Sequence, residues 1–235
     1  MEAVQLSRLN RSGIRGIIIQ TILLIIGLAV LFLSAGTLNW INGWLYAGLV
    51  SLYWVISTFV LARINPGVLN ERGSVVKEST KGFDKVWVAA IPVVTFGNLV
   101  IMGLDAARFR WSSMPVGLTY LGIIIFIELS PLGLWAMVVN RFFDWTARIQ
   151  EDNQQYVCTS GPYGIIRHPG YSALIGTVLA YPLILGSWWG FVLGGVLAVM
   201  VVIRTAQEDR MLQKELRGYT EYIRRVRYRL IPLVW

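Results

Sequence analysis

The sequence predicts an all-α, polytopic integral membrane protein with five to six transmembrane helices, a final helical hairpin and a cytoplasmic amphipathic C-terminal helix. Three observations support this fold class. Of the 235 residues, 55% are hydrophobic and only 14% are charged, and the charges leave several long stretches of sequence free. Soluble domains carry roughly 25% charged residues. A soluble protein of this composition would have too little polar surface to cover a single buried core.

Uncharged runs mark the predicted spans in chain order. A spanning helix needs about 20 mostly apolar residues. Four runs are long enough, at 16–35, 41–62, 86–104 and 111–140. Within the fourth run, Glu128 is the one charged residue. A fifth uncharged stretch, 169–203, is too long for one span, and it predicts two short helices that turn near residues 186–189. The total is five to six spans, because this hairpin need not cross the membrane fully.

Basic residues concentrate on one predicted side of the membrane. Cytoplasmic loops of membrane proteins are enriched in Lys and Arg. If both termini are cytoplasmic, 19 of the 21 basic residues fall on that side, in the segments 1–15, 63–85, 141–167 and 204–229. We therefore expect the N- and C-termini and the polar segment after residue 140 to be cytoplasmic. The net charge of +8 is then explained by topology, and no nucleic-acid partner is expected.

A polar segment, 141–171, connects the fourth span to the hairpin. It contains Gly161-Pro162-Tyr163, followed by Arg167-His168-Pro169-Gly170-Tyr171, directly before an apolar helix. Proline suits the first turn of a helix. The free backbone N–H groups of such a helix start, together with Arg167 and His168, favour binding of a carboxylate or phosphate. A loop that contacts lipid head groups is the alternative.

The C-terminal segment keeps a helical pattern but becomes amphipathic. Apolar residues recur there at alternating spacings of four and three, at Leu212, Leu216, Tyr219, Ile223 and Val226. Steps of four back from Leu212 place Glu208 and Arg204 on the same face. These two residues either form a weak surface ion pair, as i, i+4 charges do, or belong to a functional site.

Several kinds of chemistry are excluded. The single Cys cannot form an intrachain disulfide, and the single His rules out His-pair zinc motifs, so no metal is expected. The sequence has no G-x-G-x-x-G motif and no room for a soluble dinucleotide-binding domain.

The order of these motifs resembles the isoprenylcysteine carboxyl methyltransferase family, which is related to the phospholipid methyltransferases. The likeness is most specific over residues 140–232, and 65–85 is also similar to prokaryotic members. It implies an integral membrane enzyme that uses S-adenosylmethionine. The first two spans match the family only in hydropathy. The four uncharged runs predict an N-terminal four-helix transmembrane region, 1–140, and the likeness implies a catalytic region, 141–235, made of a cofactor loop, the hairpin and the C-terminal helix.

The resemblance implies roles for individual residues. Arg167 and Arg204 are expected to be catalytic, with Arg204 also binding the acceptor. The residues expected to bind the cofactor are Gln150, Gln155, Tyr156, Val157, Cys158, Tyr163, His168, Pro169, Gly170, Tyr171 and Glu208. Glu128 is added on physical grounds, since an acid within a span is costly and marks function by default. We expect it to contribute to substrate binding, and a protonated Glu bonded to a neighbouring helix is the alternative.

The chemistry favours a carboxylate acceptor. Methyl transfer depends mainly on alignment and on exclusion of water. A carboxylate is already ionised at pH 7, so it needs no general base, and an Arg such as Arg204 can hold it bidentately. The expected partners are membrane lipids and a lipophilic, isoprenylcysteine-like acceptor, either a small molecule or a lipidated protein. Two alternatives stay open: N-methylation of a phospholipid or another amine, and NADPH-dependent reduction of a sterol or polyprenyl double bond. The sequence does not predict the oligomeric state.

Overall fold

The computed structural model describes residues 8–73, 81–150 and 154–235. Within these ranges the chain forms eight α-helices: α1 Arg11–Ala35, α2 Ile41–Ile64, α3 Pro66–Glu71, α4 Gly82–Gly103, α5 Val116–Val139, α6 Pro169–Leu185, α7 Gly190–Glu215 and α8 Tyr219–Arg225. A π-helical turn, Leu104–Phe109, extends α4, and a short 3-10 helix spans Gly161–Gly164. The described residues contain no β-strand, so the predicted all-α class is confirmed.

Five helices are long and apolar enough to cross a membrane, namely α1, α2, α4 with its π-helical extension, α5 and α7. The sixth apolar helix, α6, is shorter, with 17 residues. Large apolar side chains such as Ile25, Leu33 and Val93 are exposed on these helices. Exposed apolar surface of this extent fits a lipid environment. The prediction of five to six spans is confirmed, and the fold fits an integral membrane protein.

The predicted hairpin is present and turns where the sequence indicated. Helix α6 ends at Leu185 and is capped by Gly186, whose φ of 81° lies in the left-handed region that favours glycine. Asp105, which is fully buried, accepts hydrogen bonds from the Ser187 hydroxyl and the Trp189 N–H. The π-helical turn after α4 therefore holds the start of α7 in place.

The amphipathic C-terminal segment is not one continuous helix. Helix α7 ends at Glu215, Gly218 adopts a φ of 84°, and the shorter α8 follows. Leu212, Leu216, Tyr219 and Val226 form one buried cluster with Ala147, Met211 and Tyr222. The predicted apolar face is therefore confirmed, although it is divided between α7 and α8 and is buried inside the protein. Part of segment 141–150 covers this face, and the glycine allows the chain to change direction.

Two packing features position the start of α6. Helix α5 packs closely on α6, because Gly122 leaves room for Leu183 and Ile184. The chain after α8 runs beside the residues before α6, so that the Arg167 N–H donates to the Tyr228 carbonyl and the His168 N–H to the Arg229 carbonyl, both at 2.9 Å. The α5–α6 contact crosses the predicted division at residue 140, and that division stays a prediction.

Candidate functional site

Three of the predicted site residues meet where α6 begins and where α7 nears its end. The Tyr171 hydroxyl donates a short hydrogen bond of 2.5 Å to Oε2 of Glu208. The guanidinium carbon of Arg204 lies 5.5 Å from the centre of the Tyr171 ring. Tyr171, Arg204 and Glu208 are called the Tyr171 cluster below. The α6–α7 hairpin thus brings Tyr171 together with two residues that follow it by 33 and 37 positions.

Arg204 forms its ion pair with Asp84 of α4. Its Nε lies 2.7 Å from Oδ1 of Asp84, its Nη2 lies 3.2 Å from Oδ2, and Nη2 also donates to the main-chain carbonyl of Trp145. Asp84 is fully buried and accepts a further hydrogen bond from the Ala147 N–H at 2.8 Å. The pair suggested by the i, i+4 spacing of Arg204 and Glu208 is therefore replaced by a pair with another helix. Two charge-assisted bonds fix the orientation of the guanidinium.

A second polar network surrounds Asp209, whose side chain is fully buried. Its partners are Arg167 Nη1 at 3.0 Å, His168 Nε2 at 3.3 Å, the Tyr219 hydroxyl at 2.8 Å, Arg229 Nε at 2.9 Å and Gln213 Nε2 at 2.9 Å. Arg167 also donates to the Arg227 carbonyl at 3.3 Å. The Asp209 network thus joins the start of α6 to α7, α8 and the segment after α8. Arg167 contributes to this joint, and its predicted catalytic role stays a prediction.

The predicted cofactor loop divides into a buried part and an open part. Gln150 is almost fully buried, and its side chain donates to the Phe142 carbonyl at 2.9 Å, while the Gln155 side chain accepts from the Gln150 N–H at 2.8 Å. Residues 151–153 lie outside the described ranges. The open part lines a cleft of about 120 Å³ beside the end of α5, and this stretch includes the predicted residues Tyr156, Val157 and Cys158.

The remaining predicted residues shape the start of α6 and the loop before it. Tyr163 is buried, its hydroxyl accepts a hydrogen bond from the Asn140 amide at 3.1 Å, and burial raises its pKa. Pro169 is the first residue of α6. A Cβ atom on Gly170 would lie 2.8 Å from the Phe143 ring, so a glycine permits this contact.

Glu128 is not brought together with these residues. It is exposed in the middle of α5. Eleven residues, or about 17 Å of helix, separate it from Val139, the residue whose carbonyl lies 3.7 Å from Cys158 Sγ. Its predicted role in substrate binding stays a prediction.

Asp84 and Asp209, the buried acids that pair with Arg204 and Arg167, are not among the site residues predicted from the sequence. Asp209 follows Glu208 directly, so the adjacent pair of acids soon after the uncharged stretch 169–203 was an available signal. Asp84 stands at the start of an apolar run. An acid there is already explained by the favourable interaction of a negative charge with a helix N-terminus. Its pairing with Arg204, 120 positions away, had no signal in the sequence.

The Tyr171 cluster has the chemistry that a positively charged cofactor requires. Glu208 is half-buried and supplies a carboxylate. The rings of His168 and Tyr171 stack with their centres 5.8 Å apart and an interplanar angle of 19°. A carboxylate beside aromatic faces attracts cations. These residues therefore fit a sulfonium cofactor.

Comparison with known proteins supports the same kind of function. Residues 116–217 match the sequence model of the phospholipid methyltransferase family. No curated protein matches the chain. The matched residues run from the start of α5 to just beyond α7 and contain the whole Tyr171 cluster. The predicted resemblance is confirmed over this range, and the match suggests a membrane methyltransferase.

Proposed function

We propose that this protein is an S-adenosylmethionine-dependent methyltransferase that methylates the carboxylate of a lipophilic, isoprenylcysteine-like acceptor in the membrane. The proposal depends on which nitrogens of the Arg204 guanidinium are already hydrogen-bonded within the protein. Its Nε and Nη2 are held by Asp84 and the Trp145 carbonyl. Its Nη1 makes no hydrogen bond to any residue that the structure describes. An arginine fixed in this way offers an acceptor carboxylate an oriented N–H donor on Nη1. The bidentate contact expected from the sequence is not available, because Nε and Nη2 are already bonded.

Residues on the other side of Arg204 would hold the cofactor. When bound, S-adenosylmethionine supplies an electrophilic methyl group on a positively charged sulfur. Glu208 and the faces of Tyr171 and His168 would bind its positive charge. The hydrogen bond from the Tyr171 hydroxyl keeps the Glu208 carboxylate in one orientation.

Arg204 then aligns the acceptor. One carboxylate oxygen accepts a hydrogen bond from Arg204, and the other supplies the electron pair for the new O–CH₃ bond. Because the carboxylate is ionised at neutral pH, no residue has to remove a proton. The acceptor's apolar chain would lie toward the lipid and keep water from the site.

N-methylation of a phospholipid amine is the second candidate, because the matching family model carries that description. An amine must lose a proton before it can attack. Glu208 would be the base in this case, since it is the half-buried carboxylate of the Tyr171 cluster. The rate of amine methylation would rise with pH as the acceptor loses its proton, whereas carboxylate methylation would change little above about pH 6.

The test begins with the purified full chain in detergent. We expect S-adenosylhomocysteine to raise its thermal unfolding temperature, and we expect labelled cofactor to methylate N-acetyl-S-farnesylcysteine to an alkali-labile ester. Arg204→Ala should keep the stabilisation and lose methyl transfer by at least about 100-fold, the usual effect of removing a group that aligns the reactants. Arg210→Ala is the matched control, since Arg210 is exposed on the same helix.

Three results would distinguish the alternatives. An alkali-stable product on phosphatidylethanolamine would favour the second candidate. Stabilisation by NADPH without stabilisation by S-adenosylhomocysteine would refute both methyltransferase candidates and favour the reductase. Full activity of Arg204→Ala would refute the proposed role of Arg204.

A further inference from the structure

Arg72 lies directly after α3, and the hydrogen-bond and ring partners of its guanidinium are neutral groups. Its Nη1 donates to the Gln20 side-chain oxygen at 3.1 Å, and its Nη2 donates to Sδ of Met137 at 2.7 Å. Its guanidinium carbon lies 5.1 Å from the centre of the Trp145 ring. Its Nε is buried and has no hydrogen-bond partner in the described part of the chain. The side chain therefore carries a charge without complete hydrogen bonding.

The other enclosed arginines near this end of the helices differ from Arg72. Arg148, Arg167 and Arg204 each form an ion pair with at least one carboxylate, at distances between 2.7 and 3.0 Å. Arg72 forms no ion pair with any residue in the ranges that the structure describes. Removing a charged group from water without a counter-charge costs free energy. An anionic ligand at this position would offset that cost.

Arg72 nevertheless stays protonated at neutral pH. Burial lowers the pKa of its guanidinium to about 10, and the nearby Tyr53 and Asp144 oppose this shift. The Asp144 carboxylate is committed to Arg148, 2.9 Å away. A thioether sulfur is a weak hydrogen-bond acceptor, so an anion would readily replace Met137 as the partner of Nη2.

Trp145 connects Arg72 to the candidate site. Its ring contacts Arg72, and its main-chain carbonyl accepts a hydrogen bond from Arg204. Arg204 in turn lies over Tyr171, which bonds Glu208. Arg72 and Arg204 thus contact the same residue, Trp145, and Arg204 also contacts the Tyr171 ring. Trp145 is 53% exposed, so a ligand can reach the residue whose ring contacts Arg72.

We propose that Arg72, together with Arg204, binds the anionic group of the lipophilic acceptor. The inference rests on the proposed function, because it assigns the acceptor side of the same site. Arg204 holds the acceptor oxygen next to the cofactor, and Arg72 supplies the counter-charge. The required ligand chemistry is a singly charged oxyanion on a lipid-like molecule. A carboxylate and a phosphodiester both have it, so the experiment includes one of each.

The experiment compares N-acetyl-S-farnesylcysteine with its methyl ester, which lacks the charge, as ligands of the full chain in detergent. We expect the wild type to bind the acid about tenfold or more tightly than the ester, as expected for hydrogen bonds to a charged group. Arg72→Gln should lose most of this preference and bind the ester as before. The variant should also raise the KM for the acid while leaving the KM for S-adenosylmethionine unchanged. Arg63→Gln is the matched control, because Arg63 is exposed at the end of α2.

Binding and activity together separate the two proposals. If the wild type methylates the acid and Arg72→Gln keeps the full preference for acid over ester, the inference is overturned and the proposed function stands. If the wild type neither binds S-adenosylhomocysteine nor methylates any acceptor, the proposed function fails, and the acid–ester comparison still decides whether Arg72 binds anions. Should Arg72→Gln not fold, Arg72→Lys replaces it, since lysine keeps the charge but loses the paired N–H donors and should weaken acid binding.

A second arm identifies the source of the anion. Phosphatidylethanolamine in mixed vesicles replaces the farnesylated acid as acceptor. The phosphodiester would be assigned as the bound anion by two results together. Methylation of this lipid would depend on Arg72, and the protein would show no preference for the farnesylated acid over its ester. Equal methylation of both acceptors by the wild type and Arg72→Gln would overturn the inference.

Discussion

Replacement of Asp84 by Asn tests the arrangement on which the candidate site depends. Asp84 is fully buried and receives two hydrogen bonds from Arg204 and one from the Ala147 N–H. Asn keeps the shape but removes the charge, so the buried Arg204 loses the carboxylate to which it donates two hydrogen bonds. Removing one partner of a buried ion pair typically costs about 3–5 kcal/mol. We expect Asp84→Asn to lower the free energy of unfolding by about that amount.

A double-mutant cycle isolates the pair from the other contacts of each residue. The variants are Asp84→Asn, Arg204→Gln and the double substitution, with the free energy of unfolding measured in the same detergent. The double variant should be more stable than the sum of the single effects predicts, with a coupling of at least about 1 kcal/mol, because it leaves no unpaired buried charge. An exposed pair provides the control: Lys81 and Glu215 lie 2.7 Å apart with side chains 36% and 40% exposed. Glu215→Gln should therefore cost less than about 1 kcal/mol.

The same variants show whether the Asp84–Arg204 ion pair only stabilises the fold or also orients Arg204 for methyl transfer. Asp84→Asn should keep its stabilisation by S-adenosylhomocysteine, because Glu208 and Tyr171 are unchanged, and it should lower kcat for methyl transfer, because Arg204 is no longer fixed. Additive effects of the two substitutions on stability would refute the pairing. A normal kcat in folded Asp84→Asn would refute the claim that Asp84 orients Arg204.

Two further predictions concern packing and pH. Gly122→Ala should lower the free energy of unfolding by about 1–3 kcal/mol, because the new Cβ would lie 2.7 Å from Leu183 Cβ and 2.9 Å from the Ile184 nitrogen. Gly117→Ala on the same helix is the control and should have little effect, since a Cβ there would have nothing within 4 Å. Equal effects of the two substitutions would contradict the α5–α6 packing. The preference for acid over ester should be constant up to about pH 9 and fall as the pH rises through 10, since burial lowers the pKa of Arg72 to about 10 and the deprotonated side chain loses its charge. A preference unchanged at pH 11, measured by ligand binding, would mean that Arg72 does not supply the charge.

The spans and the hairpin could be predicted from the sequence because hydropathy and turn residues act locally. The predicted run 41–62 corresponds to α2, Ile41–Ile64, and the predicted turn at 186–189 follows the end of α6 at Leu185. The break between α7 and α8 could not be predicted in the same way. The apolar spacing continues through Gly218, and the buried cluster accommodates the same spacing whether the segment is one helix or is divided between α7 and α8.

The partners of the arginines could not be predicted, because pairing depends on which helices become neighbours. Spacing placed Glu208 four residues after Arg204, but the structure pairs Arg204 with Asp84, 120 positions away. The Tyr171 cluster was predicted through a family resemblance that covers the hairpin, and its members do meet. Asp84 lies outside the range that matches the family model.

The basic residues of this protein bear both on its membrane topology and on its function. The topology is predicted from the number of basic residues on each side of the spans. Exposed arginines such as Arg63 and enclosed ones such as Arg204 count equally in that number. Their function depends on what each enclosed guanidinium contacts. An arginine paired with a carboxylate, as Arg167 is with Asp209, already has its counter-charge within the fold and serves to join helices. Arg72 has an amide oxygen, a thioether and an aromatic face instead. In a membrane enzyme whose expected acceptor carries a negative charge, this difference makes Arg72 the arginine whose missing counter-charge a ligand can supply.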